Sequence, residues 1–395
     1  LNTTAAMCTS LGTCSPTLCL TGEVPSAFYG KGRGHLHELS DQLGIMERLT
    51  KHAQHIDDPA DTPVAMRDAI AAATSGRQGP AALSICWDKL GQPAQIGPAL
   101  DPAGVASLEP DGDQIDACIA LIKSARNPMI FTGSGAQHAA AEIAALSELL
   151  RAPVVGFRGG RGIVGEDRPL GLNMAAAWKL WQETDLLIGI GSRMEVPFMR
   201  WSGMMSYTRR IEGKALVRID IDPGEMLKLD TDAPLVADSA IGVRALVKGL
   251  LDCRYASDRD MSAICAAKES AAVEIRSIQP QMDYLDAIRA VLPRDGFFVE
   301  ELSQIGFTSN FGFPVYEPRT YVSCGHQGTL GFGFPTALGV KVANPGKAVV
   351  SVTGDGGFMF AMPELATAVQ YSINLVTIVF DNGSYGNVRR DQQTR

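Results

Sequence analysis

Two short segments carry residue types that could do chemistry. Gly354-Asp355-Gly356-Gly357 follows the apolar run Ala348–Val352, and Asp381-Asn382-Gly383-Ser384 follows the run 374–380. Twenty-four residues separate Gly356 from Asp381, room for a loop, a helix and a strand. That is one βαβ unit, whose right-handed crossover puts both strand ends on the same edge of a parallel sheet, the edge where such sheets bind ligands. Asp355 offers a carboxylate, Asn382 an amide oxygen, and the Ser384 backbone carbonyl a third hard oxygen. These suit magnesium but carry one formal charge, so an anionic partner must supply the rest. Gly356 and Gly357 let the backbone approach closely, and the helix that follows can direct N–H groups at a phosphate. A magnesium-bound diphosphate satisfies every part. Gly-Asp-Gly alone reads as no more than a tight turn; the Asn at the matching distance makes the pair specific.

The elements that must position these segments follow from periodicity. The region from Leu1 to Ala94 is Gly- and Thr-rich and closes on a strand at Pro80–Ile85. The stretch Gly91–Gly112, with Pro93, Pro98, Pro102 and Pro110, reads as an interdomain connection. Beyond it, helices at 114–124, 139–150 and 241–251 alternate with strands at 129–132, 154–156, 185–189 and 215–221. Residues 257–279, rich in Ala and Glu, read as an exposed helix or interdomain segment. Helices at 284–292, 333–342 and 363–370 then alternate with strands at 296–299, 348–352 and 374–380. The fold class is therefore α/β, with parallel sheets flanked by helices.

Composition narrows the function classes. The chain has 395 residues, 46% of them hydrophobic and 20% charged, which is globular composition for more than one domain. Thirty-five basic and 43 acidic residues give a net charge of -8 without long runs of one sign, which predicts no nucleic-acid partner. No apolar run approaches the ~20 residues of a spanning helix, so no membrane partner is expected either. The eight cysteines include no Cys-x-x-Cys pair, which predicts neither zinc nor disulfides and suits a reducing, cytoplasmic location. Leu1 and Arg395 both read as cut ends, leaving open a targeting signal upstream.

From Gly354-Asp355-Gly356 through Asp381-Asn382, the sequence resembles the thiamine diphosphate-binding motif. The resemblance extends along the chain, most closely to the acetohydroxyacid synthase (acetolactate synthase) large-subunit and 2-oxo acid decarboxylase group. It implies a three-domain architecture truncated at both ends: residues 1–94 as the second part of a pyrimidine-binding domain, 95–112 a linker, and 113–254 a central domain of FAD type. Residues 255–278 are then an interdomain segment and 279–395 an incomplete diphosphate-binding domain. Gly328-Thr329-Leu330-Gly331-Phe332-Gly333-Phe334-Pro335 resembles the segment that bends the cofactor. By that likeness Leu330 is the bulky side chain between the two rings and the Gly328 carbonyl receives the aminopyrimidine; a core position on a helix is the plainer alternative for Leu330. Gln304 resembles a glutamine near the diphosphate, although the histidine that follows it in the family is Ile305 here.

Other positions depart from the pattern. The catalytic glutamate of the family falls upstream of Leu1. Leu36-His37-Glu38 stands where acetohydroxyacid synthases have Phe-Gln-Glu, making His37 a candidate acid or base or else an ordinary loop histidine; His326 is a weaker candidate. Gly133-Ser134-Gly135 and Gly191-Ser192-Arg193 resemble the FAD-carrying domain, with Arg193 matching an FAD-contacting arginine, but Met194-Glu195-Val196 replaces the acidic pair that follows. Gly159-Gly160-Arg161-Gly162 occupies the place of a dinucleotide loop. FAD, another nucleotide and an empty structural domain all remain open on this reading.

The resemblance implies an enzyme that uses thiamine diphosphate and Mg2+, with FAD as an option, to decarboxylate a pyruvate-like 2-oxo acid. The product either joins a second carbonyl, giving a 2-hydroxy-3-oxo acid such as acetolactate, or takes a proton and leaves as an aldehyde. A non-catalytic cofactor-binding relative is a further alternative, which the matched Asp355 and Asn382 disfavour. A homodimer or homotetramer is implied as well.

Overall fold

A computed structural model describes residues 2–98, 100–101, 104, 108–194, 209–211 and 213–394. They fall into two compact units, Leu1–Ser107 and Leu108–Arg395.

The first unit is a parallel three-stranded sheet with helices. In chain order its elements are α1 (Thr4–Thr13), β1 (Leu18–Glu23), α2 (Gln42–Leu49), β2 (His52–Ile56), α3 (Thr62–Thr74) and β3 (Ala81–Cys86), with strand order β1-β3-β2. Ala65, Ala69 and Ala73 recur every four residues along α3, so one small-residue face packs on the sheet with Ile56 and Leu83. The sequence indicates only the last of these strands. Polar positions in Leu18-Cys-Leu-Thr-Gly-Glu23 and His52-Ala-Gln-His-Ile56 hide the other two.

The second unit holds two parallel sheets. Its first part runs α4 (Gly112–Ser124), β4 (Pro128–Thr132), α5 (Ala140–Leu150), β5 (Val154–Gly156), β6 (Gly171–Leu172), α6 (Met174–Lys179), β7 (Leu186–Ile190), β8 (Ala215–Asp220), α7 (Pro223–Met226), β9 (Ala233–Val236) and α8 (Ser239–Asp252). The six strands lie in the order β6-β5-β4-β7-β8-β9, and every residue of β4 and β7 is buried, as covered parallel strands require. Helix starts are set by side-chain caps: Asp111 accepts from Gln114 N at 3.1 Å, Asn173 from Ala176 N at 2.9 Å and Asp238 from Ala240 N at 2.9 Å.

The second part runs α9 (Ser262–Arg276), α10 (Gln281–Val291), β10 (Phe297–Val299), α11 (Gln304–Gly312), β11 (Tyr321–Val322), α12 (Gly333–Ala343), β12 (Val349–Gly354), α13 (Asp355–Ala361), α14 (Leu365–Gln370), β13 (Val376–Phe380) and α15 (Gly386–Thr394). Strand order is β11-β10-β12-β13, all parallel. The expected helix over 363–370 starts as a 3-10 turn at Met362–Glu364, where Pro363 sits, and becomes α-helical from Leu365.

The exposed reading of 257–279 is corrected. Helix α9 buries Ile264, Ala267, Ala271 and Ile275 in a core shared with α6 and with Phe298 and Phe311 of the second sheet's layer. Alanines on its inner face carry so little apolar volume that composition alone looks solvent-facing. Arg161 ties the same layers together. Its guanidinium donates to Glu166 Oε1 at 2.8 and 3.0 Å, to Ser309 O at 2.9 Å and to Phe313 O at 2.5 Å, and lies 4.5 Å from the centre of the Tyr321 ring. The last carbonyls of α11 are thereby satisfied by a side chain from the glycine-rich loop of the other sheet.

Candidate functional site

The carboxyl edge of the four-stranded sheet gathers the candidate residues. In the β12–β13 ladder Gly354 is opposite Phe380, so the next residue on one side, Asp355, and the second on the other, Asn382, leave from neighbouring strand ends. Asp355, Gly356 and Gly357 form the first turn of α13. The β13 loop folds on itself: Asp381 Oδ1 accepts from Gly383 N at 2.8 Å, Asn382 Oδ1 from Ser384 N at 3.1 Å, and Gly383 holds φ +62°, a left-handed conformation natural to glycine. Gln304 opens α11 behind its Ser303 cap, which accepts from Gly306 N at 3.1 Å. Its Nε2 donates to Asn387 Oδ1 at 3.3 Å. A side chain at Gly386 would meet Asn382 Nδ2 at 3.1 Å and Gln304 Nε2 at 3.7 Å. The glutamine and the asparagine thus flank one glycine.

Gly328 and Leu330 lie in the loop between β11 and α12. Gly328 at φ +61° and Gly331 at φ +83° bracket Leu330, which is half-buried. It is therefore neither helical nor a core residue, and the plainer alternative for it falls. The two glycines after Asp355 are required for reasons of packing. A Cβ on Gly356 would stand 2.5 Å from the Tyr385 ring, and one on Gly357 2.7 Å from Glu301 Oε1.

Glu301 and Glu300 were not singled out by the sequence reading. Both follow β10 directly and both are buried, Glu301 completely. Glu300 accepts from Cys324 N at 2.9 Å, and burial pushes its carboxyl above the usual range. Glu301 accepts from Gly331 N, from Gly333 N at 3.1 Å and from Thr353 Oγ1 at 2.9 Å. Two adjacent acids after the apolar run Phe297-Phe298-Val299 were the available signal: charged residues at the mouth of a buried strand are buried only when hydrogen-bonded.

The donor set fits the groups that the sequence implies. One carboxylate, one amide oxygen and one backbone carbonyl at a shared strand edge suit a hard cation carrying an anionic ligand. The crowded glycines let two loops and a helix start close on one place. Among the described residues there is no cluster of three His, Cys, Asp or Glu that could hold a metal by itself.

The remaining candidates lie elsewhere. His37 is exposed in the first unit at φ +70°. Arg193 Nη1 lies 3.4 Å from His326 Nδ1, so the loop after β7 reaches the loop that carries Gly328. Glu195 and Val196 are outside the described residues. The glycines of the central sheet pack on each other: a Cβ on Gly133 would stand 2.2 Å from Gly191 O, and one on Gly160 1.9 Å from Thr132 O.

A parallel sheet whose carboxyl edge gathers Asp355, Asn382 and Gln304, beside a second parallel sheet with glycine-rich strand ends, is the arrangement of a class of cofactor-dependent enzyme modules, and comparison with known proteins gives the family. Residues 303–395 match the thiamine pyrophosphate enzyme C-terminal TPP binding domain, and 115–246 match the central domain of the same enzymes. The chain belongs to the thiamine pyrophosphate enzyme family.

Its relatives differ in named activity. It is 30% identical over 392 residues to the probable 2-ketoarginine decarboxylase AruI of Pseudomonas aeruginosa, covering 95% of this chain and 68% of that protein. It is 32% identical over 418 residues to a probable acetolactate synthase large subunit of Methanocaldococcus jannaschii, covering 98% and 68%. It is also 27% identical over 406 residues to a glyoxylate carboligase of Escherichia coli, covering 96% and 67%. Among the described residues no helix is long and apolar enough to cross a membrane.

Proposed function

We propose that the protein is a thiamine diphosphate- and Mg2+-dependent enzyme that decarboxylates a pyruvate-like 2-oxo acid and joins the product to a second carbonyl, as acetolactate synthases do. The observation that carries this reading is the β12–β13 register, which brings Asp355 and Asn382 to one edge with Gln304. When bound, thiamine diphosphate supplies the electron sink for loss of carbon dioxide. The chain's own residues bind and orient. Asp355, Asn382 Oδ1 and the Ser384 carbonyl would hold Mg2+, and Gln304 would stand beside the diphosphate. The Gly328 carbonyl and Leu330 would fix the two rings. His37 would hold or deliver a proton near the substrate.

Simple decarboxylation is the second reading, favoured by the decarboxylase relative and by His37 in place of glutamine, since an imidazole can supply the proton that releases an aldehyde. FAD stays an optional ligand on this reading, with Arg193 the residue that would contact it, because the central sheet's glycines pack on one another whether or not a flavin is bound. We read the enzyme as a homodimer or homotetramer in the cytoplasm, in line with its resemblance and with eight cysteines outside any disulfide.

Calorimetric titration of the full-length protein with thiamine diphosphate and MgCl2 tests the site. Asp355→Ala removes the carboxylate that offsets the diphosphate charge, and binding should be lost while the melting temperature of the unliganded protein is unchanged. Undiminished affinity in that variant would overturn the assignment.

A further inference from the structure

We propose that Glu301 is a positioning residue that couples the two halves of the cofactor cradle. The inference rests on the reading of this edge as a thiamine diphosphate site. One carboxylate, fully buried, accepts hydrogen bonds from both sides of that site. Gly331 N and Gly333 N, which bracket the turn just after Leu330, donate to its two oxygens, the latter at 3.1 Å. Thr353 Oγ1, two residues before Asp355, donates to Oε2 at 2.9 Å. The loop assigned to the rings and the strand end assigned to the metal and diphosphate are thus pinned to the same anion.

Three glycines admit this arrangement. Side chains at Gly333 and Gly357 would stand 2.9 and 2.7 Å from the carboxylate oxygens, and Gly331 at φ +83° turns its N–H inward. The donors are two backbone N–H groups and a hydroxyl, with no cation among these bonds. A charge buried in this way is stabilised only while all three donors stay in place. Holding both loops before the ligand arrives removes an ordering cost that binding would otherwise bear. Glutamine cannot substitute. Whichever way its amide is turned, an NH2 group faces the N–H of Gly331 or Gly333, donor against donor.

The test uses full-length protein and two probes, thiamine diphosphate with MgCl2 and inorganic pyrophosphate with MgCl2, titrated by calorimetry against wild type, Glu301→Gln and Thr353→Val. Pyrophosphate reads the Asp355 side alone, and the affinity ratio between probes reads what the ring-holding loop adds. Loss of a charge-assisted hydrogen bond predicts that the ratio falls by about 10- to 100-fold in Glu301→Gln. Thr353→Val, which keeps both backbone donors, should show a smaller fall in the same direction. A structural role without coupling would lower the melting temperature and both affinities together, leaving the ratio unchanged, and that result overturns the proposal. If Glu301→Gln does not fold, an unchanged ratio in Thr353→Val does so instead. Failure of the wild type to bind either probe would strike the underlying site reading rather than the coupling.

Discussion

Replacing Arg161 with alanine should cost the second unit several kcal/mol, a large share of the ~5–15 kcal/mol that holds a typical protein folded. The Arg161 and Glu166 side chains are 1% and 9% exposed, and their closest approach is 2.8 Å. Removing one member of a buried pair typically costs about 3–5 kcal/mol, since the other is left charged and unpaired. Two carbonyls, Ser309 O and Phe313 O, also lose a donor. Because these losses overlap and water can enter, about 3–6 kcal/mol is expected rather than their sum. The size of the loss should depend on pH. Burial already pushes the Glu166 carboxyl up, with Arg161 the main opposing charge. Without the arginine that carboxyl rises further, so the folded variant binds a proton more tightly than the unfolded chain does. Its stability is then retained below the ordinary glutamate pKa of about 4.3 and is lost as pH rises through the raised value. The deficit should be greater at pH 8 than at pH 5. Urea unfolding followed by far-ultraviolet circular dichroism and by the fluorescence of Trp178 and Trp181 would measure it. Arg161→Met with Glu166→Leu should recover most of the loss, as apolar replacements of buried pairs do. A deficit below about 1 kcal/mol, or one that the second substitution deepens additively, would refute the reasoning.

Two further outcomes follow from the side-chain environments. Thiol labelling of the native protein at pH 8 should modify the exposed Cys253 and Cys265 and spare Cys118, whose pKa burial pushes up to about 12; mass spectrometry of the labelled peptides reads this directly. If His37 delivers a proton to the reacting centre, His37→Gln should shift pyruvate-derived product from acetaldehyde toward acetolactate, whereas an identical product ratio would make it a plain loop residue.

The central strands of the second unit's sheets were legible because fully buried parallel strands leave continuous apolar runs such as Leu186–Ile190, and the βαβ spacing then fixed where Asp355 and Asn382 must emerge; the short strands β6, β9 and β11 and the helices α6 and α11 left no such signal. What escaped was whatever depends on partners distant in sequence. Glu301 gains its role from Gly331, Gly333 and Thr353, which no local window contains. Gly357 was read as making room for a ligand, and the structure gives its missing side chain a nearer reason in the carboxylate of Glu301. The glycines around Arg161 mark the place of a dinucleotide loop and say nothing of the arginine itself, whose donors point at the end of α11. Helix α9 is where the sequence places a helix, but its buried face was hidden, since alanine at a packed interface and alanine in water look the same in composition.

The glycine-on-glycine packing after β4 and β7 changes what such residues can diagnose. Where a Cβ on Gly133 would collide with a main-chain oxygen, the glycine is demanded by architecture whether or not a nucleotide sits nearby. A central domain of this kind can shed its cargo without shedding the glycines, and an alanine scan through them would damage an empty domain as badly as a loaded one. Flavin content in these proteins is therefore a matter for visible absorbance rather than for a glycine pattern, and a colourless preparation that retains every glycine would be an ordinary outcome.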